Sequence, residues 1–168
     1  MSETMNTEKG ETKGAGHRFL SFTLGTEDYA VPLLAVREVI AVPEVTPVPF
    51  TPPHFLGIMN LRGQVISVID LRAKLGVKPA ANSETAVIIC DLHPITLGVV
   101  VDAINSVLTP NDTEISDKPE IQSKQNTDYI TGVYSKDDKL VLFLDLAKAL
   151  NVEDLQAVAK AAKQAKAA

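Results

Sequence analysis

Asp70 and Asp145 are the residues in this chain that first suggest joint chemistry, since each closes an apolar run and each precedes a leucine. Two such carboxylates could serve as general acid and general base. Their surroundings point to a quieter task. Both stand where a helix N-cap belongs, and a carboxylate there accepts from the first unpaired backbone N–H groups. Gly76 and Asn151 follow at the matching C-terminal positions, and these two residue types readily take the left-handed conformation that ends a helix. Both aspartates are therefore read as caps. Cys90 sits in the middle of the apolar run Val87–Asp91 and reads as an inert core thiol. His17, His54 and His93 fall in a tail, a proline-rich connector and a turn, and read as solvated or incidental. There is no glycine-rich phosphate loop and no cysteine pair for zinc. With no nucleophile–base pair or metal set, the chain reads as a binder, with no cofactor.

Two further charged residues are less easily set aside. Glu38 falls among Val36, Val39 and Ile40, an apolar setting in which a carboxylate usually has a cationic partner. Arg62 is a candidate for that partner, and a bidentate pair is possible. The alternatives are that Glu38 points to water from an edge strand and that Arg62 is an ordinary turn arginine.

The elements that must position these residues form a duplication. The stretch 55–76 returns at 129–151, with Gly57 over Gly132, Asp70 over Asp145, Leu71 over Leu146 and Leu75 over Leu150 without a gap. Each copy reads as apolar strand, polar turn, apolar strand and short helix. The turns differ. Asn60-Leu61-Arg62-Gly63 answers Ser135-Lys136-Asp137-Asp138. The second is an ordinary solvated hairpin turn, whereas the first sets an exposed leucine and an arginine beside a permissive glycine.

The rest of the chain extends the repeat. Residues 1–16 are polar and read as a disordered tail. Leu20, Phe22 and Leu24 alternate with polar residues as a strand, Tyr29-Ala30-Val31 begins the return, and Pro32 opens a short helical turn before the strand at Glu38–Val42. Five prolines between 43 and 53 make a stiff, extended connector. After a linker at 79–84, Val87–Asp91 and the alternating Ile95, Leu97, Val99 and Val101 repeat the opening hairpin. Residues 109–128 read as a long surface loop, and 152–168 as a C-terminal helix that frays. Each half thus has about five short strands and a short helix, a spacing that fits a small closed barrel. The expected fold is mainly all-β, two tandem five-stranded barrels at about 17–80 and 85–150.

Composition narrows the partners. A chain of 168 residues with 45% apolar content and no Trp supports an aliphatic core. The net charge of −5 argues against nucleic acid, because no basic surplus exists to replace phosphate counterions. A single cysteine fits a reducing cytoplasm, and no apolar run approaches the roughly 20 residues that span a bilayer.

With these residues laid out, the chain resembles the CheW family of chemotaxis coupling proteins. Tyr29-Ala30-Val31-Pro32, Val36-Arg37-Glu38-Val39-Ile40, Gly57 to Gly63 and Ile69-Asp70-Leu71-Arg72 carry the resemblance. Leu97 to Asp102 and Tyr129 to Val133 continue it, so that it runs from about His17 to Leu150. It implies two SH3-like barrels and a non-enzymatic cytoplasmic adaptor. Such an adaptor joins the helical-hairpin tips of methyl-accepting chemoreceptors to the regulatory domain of the histidine kinase CheA, in arrays under the inner membrane. Carried over residue by residue, Glu38 and Arg62 shape the receptor surface, with Val31, Val36, Val99 and Val101 as apolar contributors to an inter-barrel groove. Gly57, Val45, Asn60 and Leu61 fall on the kinase face. A coupler for pilus-driven motility shares the motif. So does CheV, which adds a receiver domain for which this chain has no room. The rival from another class, a tandem barrel binding a small ligand or an oligonucleotide, needs aromatic platforms and a basic track, and neither is present.

Overall fold

The computed structural model describes residues 17–81, 84–92, 95–117, 128–150, 154 and 158. The opening hairpin is β1 (Phe19–Leu24) and β2 (Glu27–Pro32), followed by a 3-10 turn at Leu33–Ala35 and β3 (Val36–Ala41). The connector leads to β4 (Phe55–Leu61), β5 (Gln64–Asp70) and α1 (Leu71–Leu75). The plan then repeats as β6 (Ala86–Asp91), β7 (Thr96–Val101), β8 (Ala103–Leu108), β9 (Ile115–Ser116), β10 (Ile130–Lys136), β11 (Lys139–Leu144) and α2 (Leu146–Ala149).

The strands form two sheets, in the orders β3-β6-β7-β5-β4 and β8-β1-β2-β11-β10-β9. The mainly-β architecture of two small barrel-like sheets agrees with expectation, but their make-up does not follow a cut near residue 80. The hairpin β1–β2 lies between β8 and β11, while β6–β7 lies between β3 and β5. Each repeat lends its opening hairpin to the sheet of the other. Short connections carry the chain from one sheet to the other. Only Asp102 separates β7 from β8, and only three residues separate β2 from β3. One residue cannot close the two-residue hairpin that would return the chain to its own sheet, so it runs on into the other.

Correspondence between the sheets is close. β5 pairs in parallel with β7, and β11 with β2. Both long hairpins carry a bulge at the glycine, between Phe55 and Gly57 in one and between Ile130 and Gly132 in the other. The caps match as well. Asp70 accepts from Arg72 N and Asp145 from Lys148 N, and Gly76 ends α1 at φ 70°. Asn151, the corresponding stop, lies outside the described residues.

One core joins the two sheets. Leu20, Phe22, Leu24 and Val31 meet Ile69, Ile88, Leu97, Val99 and Val101 there. Met59, Ile66, Val68, Val87, Ile89 and Val100 fill the first sheet, and Ala30, Tyr134, Val141 and Phe143 the second. The expectation for 1–16 lies outside the described residues. Of the C-terminal segment, Asp154 and Val158 are described, both helical and both buried. The stretch after Thr109 is not a plain loop: Asn111 and Glu114 form a capping box, and Ile115–Ser116 adds an edge strand to β10.

Candidate functional site

Arg62 occupies the apex of the β4–β5 hairpin. One of the two-residue turns that match the strands' twist has positive φ at both positions, and Arg62 and Gly63 take 50° and 88°. Asn60 Oδ1 accepts from Gly63 N at 2.8 Å and stiffens the turn. The Arg62 side chain is 72% exposed, and its Nη2 donates to Glu38 Oε2 at 2.5 Å. Alternation along β3 places Glu38 on the same side as Ile40, which packs on the first sheet's core. The pair therefore ties the β3 edge to the turn of the opposite hairpin. The hydrogen bond to Glu38, and then its charge, raise the guanidinium above its ordinary pKa. An ion pair this exposed does little for stability. What it does is hold a charged knob in place, with Val39 and Val65 each about 40% exposed on the same sheet.

Gly57 acts from inside. Its φ is +145°, and a Cβ there would lie 2.0 Å from Thr46 O. That closeness lets Thr46 and Ile58 exchange both backbone hydrogen bonds, each 2.8 Å, and pins the connector to β4. Val45 beside it is half-buried against the Met59–Ile66 core, as is Leu61, while Asn60 is exposed. Pro43, Glu44, Thr46, Ile58, Met59, Asn60 and Val65 line a shallow cavity of about 470 Å³ between connector and hairpin.

Several expected site residues are placed elsewhere. Val31, Val99 and Val101 are 1%, 1% and 0% exposed and belong to the core shared by the sheets. They support the surface from behind and cannot line a groove, because the junction where a groove was expected is packed with apolar side chains. Val36 is half-buried at the rim of that core, next to Leu34, which is 99% exposed. Gly57 is buried and shapes the connector without offering a contact surface. His54 is not solvated: its ring bonds the buried Asp154 carboxylate. His17 is exposed, and His93 lies outside the described residues. Burial pushes the Cys90 thiol up to about 12, so it stays protonated and inert.

Sequence reasoning missed a buried charge network on α1. Arg72 grips Asp70 through Nε at 2.9 Å and Nη2 at 3.1 Å, and donates from Nη1 to Asp102 at 2.8 Å. Asp102 also accepts from Gly25 N at 2.6 Å, in the β1–β2 turn. Burial alone would raise the Asp102 carboxyl; the bonds from the Gly25 N–H, Arg72 and the Ala80 N–H bring it below its ordinary value. Lys74, two residues on, meets Asp154 at 2.6 Å. The signal was present in the repeat, since Arg72 and Lys74 answer Ala147 and Ala149 in the second copy.

Comparison with known proteins bears on this geometry directly. A family model described as the CheW-like domain matches residues 18–154. The chain belongs to the CheW family. It is 34% identical over 161 residues to a chemotaxis protein CheW of Klebsiella aerogenes, covering 95% of this chain and 96% of that protein. A CheW of Rhizobium meliloti is 30% identical over 153 residues, 90% of this chain and 98% of the relative. The crystal structure of the scaffolding protein TtCheW from Thermoanaerobacter tengcongensis superposes with a TM-score of 0.74 at 29% identity, covering 82% of this chain and 94% of that one. CheW proteins are chemotaxis scaffolds and adaptors, not enzymes, and this chain is one of them by family. Among the described residues, no helix is long and apolar enough to cross a membrane, and no group of three or more His, Cys, Asp or Glu side chains is placed to hold a metal.

Proposed function

We propose that this CheW-family scaffold couples the cytoplasmic hairpin tip of a methyl-accepting chemoreceptor to the regulatory domain of the histidine kinase CheA, in cytoplasmic arrays beneath the inner membrane. Glu38 and Arg62 form the receptor-facing knob, with Val36 beside it. Val45, Asn60 and Leu61 meet the kinase on a face that Gly57 shapes by seating the connector. The observation that carries this reading is the turn itself. Two hairpins share one backbone, and only the first displays an ion-paired arginine at its apex.

Co-sedimentation with receptor-bearing membranes, with and without CheA, separates the two contacts. Arg62→Glu and Glu38→Lys are expected to reduce receptor sedimentation and receptor-stimulated kinase activity by about tenfold or more, a hot-spot-sized loss, while CheA binding in solution persists. Wild-type behaviour of both variants would remove the knob from the mechanism.

A further inference from the structure

The second sheet is not filled as the first is. Phe143 pairs with Ala30 as Val68 pairs with Gly98, and across from those two residues stand Ser21 and Ile89. The same register sets Tyr134, Val141 and Lys136 against Met59, Ile66 and Leu61, and Ser106 against Glu38. In the first sheet Met59, Ile66 and Ile89 close into a core, Leu61 packs on it, and the Glu38–Arg62 pair spans its edge. In the second sheet two of these apolar plugs have become a serine and a lysine, and Ser106 and Asp137 form no ion pair. A cavity of about 420 Å³ results, to which β1, β2, β8, β10 and β11 all contribute.

Its lining is polar and of both charges. Ser21 is 3% exposed, and among the described residues no hydrogen bond engages its hydroxyl. No fully enclosed side-chain oxygen among them lacks a partner, so the Ser21 oxygen keeps its access through the cavity it lines. Asp28 Oδ1 accepts from Thr23 Oγ1 at 3.0 Å and from Asn105 Nδ2 at 3.2 Å, while no described residue bonds its Oδ2. Lys136 and Lys139 face each other as the last pair of the β10–β11 hairpin, where like charges repel. Lys136 reaches Glu114 at 3.8 Å, and among the described residues no ion pair joins either lysine to Asp28 or Asp137. An anion alone would meet the aspartates, and a cation alone the lysines. A ligand that carries both charges satisfies both. Leu108 and Val141, which belong to the sheet's own core, add an apolar wall.

We propose that this cavity binds a small zwitterion with an aliphatic side chain, of the free α-amino-acid class. The ligand's carboxylate lies with the ammonium groups of Lys136 and Lys139, and its own ammonium donates to Asp28 Oδ2. The aliphatic side chain rests on Leu108 and Val141, and the buried Ser21 hydroxyl supplies a further bond. The volume falls within the range of small-molecule sites. This site is separate from the receptor and kinase contacts given above and needs neither partner.

Amide chemical shifts of the isotope-labelled full chain test it, in titrations with L-leucine and with its carboxylate-only and amine-only analogues, isocaproate and isoamylamine. L-Leucine is expected to move the amides around Ser21, Ser106 and Tyr134 saturably, and each analogue to bind at least about tenfold more weakly. Ser21→Ile restores the plug that Ile89 provides in the first sheet, and Lys136→Leu the one that Leu61 provides. Both variants should weaken L-leucine binding at least about tenfold while the melting temperature stays in place. Lys136→Leu changes an exposed rim position and carries the test even where Ser21→Ile fails to fold. No saturable response to L-leucine, or a response that a folded variant leaves intact, overturns the site. Equal binding of L-leucine and isocaproate shows a site for anions and refutes the zwitterion.

Discussion

The hairpin β4–β5 with α1 and the hairpin β10–β11 with α2 are one design used twice. Their strand registers correspond pair for pair, both turns hold positive φ at their two central residues, and an aspartate caps each helix. They part company at the side chains. Arg62 at the first apex answers Asp137 at the second, and the partly apolar Leu61 answers Lys136. Arg72 and Lys74, which bind buried carboxylates, answer two alanines. Gly57 is jammed against the connector, with Thr46 O at 2.0 Å from a would-be Cβ, whereas the nearest atom to Gly132 is at 3.3 Å. The comparison therefore separates what both copies need from what only the first one carries, part of it spent inside the fold and part of it displayed at the surface. Caps and bulges recur in both copies, and the exposed knob does not.

The largest effect should separate the two glycines. Gly57→Val drives its Cβ into the connector backbone at a φ that side chains avoid, and about 3 kcal/mol or more of stability should be lost in denaturant titration. Gly132→Ala meets neighbours that need to give only slightly, so about 1 kcal/mol or less is expected; equal losses would mean that the bulges are equivalent after all. Next comes the network on α1. Asp102→Asn strips a buried partner from Arg72 and should cost about 2–4 kcal/mol near neutral pH, whereas Ala147→Arg, at the exposed position of α2 that answers Arg72, should stay within about 0.5 kcal/mol.

That second contrast has a pH signature. The Asp102 carboxyl titrates below its ordinary value of 3.8 in the folded chain, so its stabilising contribution is complete above that value. It is lost as pH falls through the lower folded value. The stability gap between wild type and Asp102→Asn should therefore be constant from neutral pH down to about pH 5 and close below it. Smaller again, Lys74→Met leaves Asp154 with His54 and should cost about 1–2 kcal/mol, read as a lower melting temperature. Arg62→Glu, at the exposed end of the scale, should leave the melting curve in place.

Much of this was legible in the sequence, and the reasons are local. Asp70 and Asp145 announce their caps because an N-cap draws on a short list of residue types at one place, and Gly76 announces the stop for the same reason. The Glu38–Arg62 pair could be suspected because a carboxylate among valines calls for a cation. Three things were out of reach. The exchange of opening hairpins depends on where Asp102 and the turn at Leu33–Ala35 send the chain, and periodicity carries no information on which sheet a strand joins. Val31, Val99 and Val101 alternate like any half-buried strand residues, so their place in a core shared by two sheets was invisible. His54 meets Asp154 across 100 residues of chain, a pairing that no local pattern encodes.

The central claim is that the earlier hairpin turn alone became a docking surface, and one paired measurement tests it most directly. Receptor-stimulated CheA autophosphorylation would be recorded with Arg62→Glu and, in parallel, with Asp137→Lys at the same apex of the other hairpin. Both chains are expected to fold, with coupling reduced about tenfold or more by the first change and left at the wild-type level by the second. Equal responses from the two turns, whether both lose coupling or both keep it, would contradict the account.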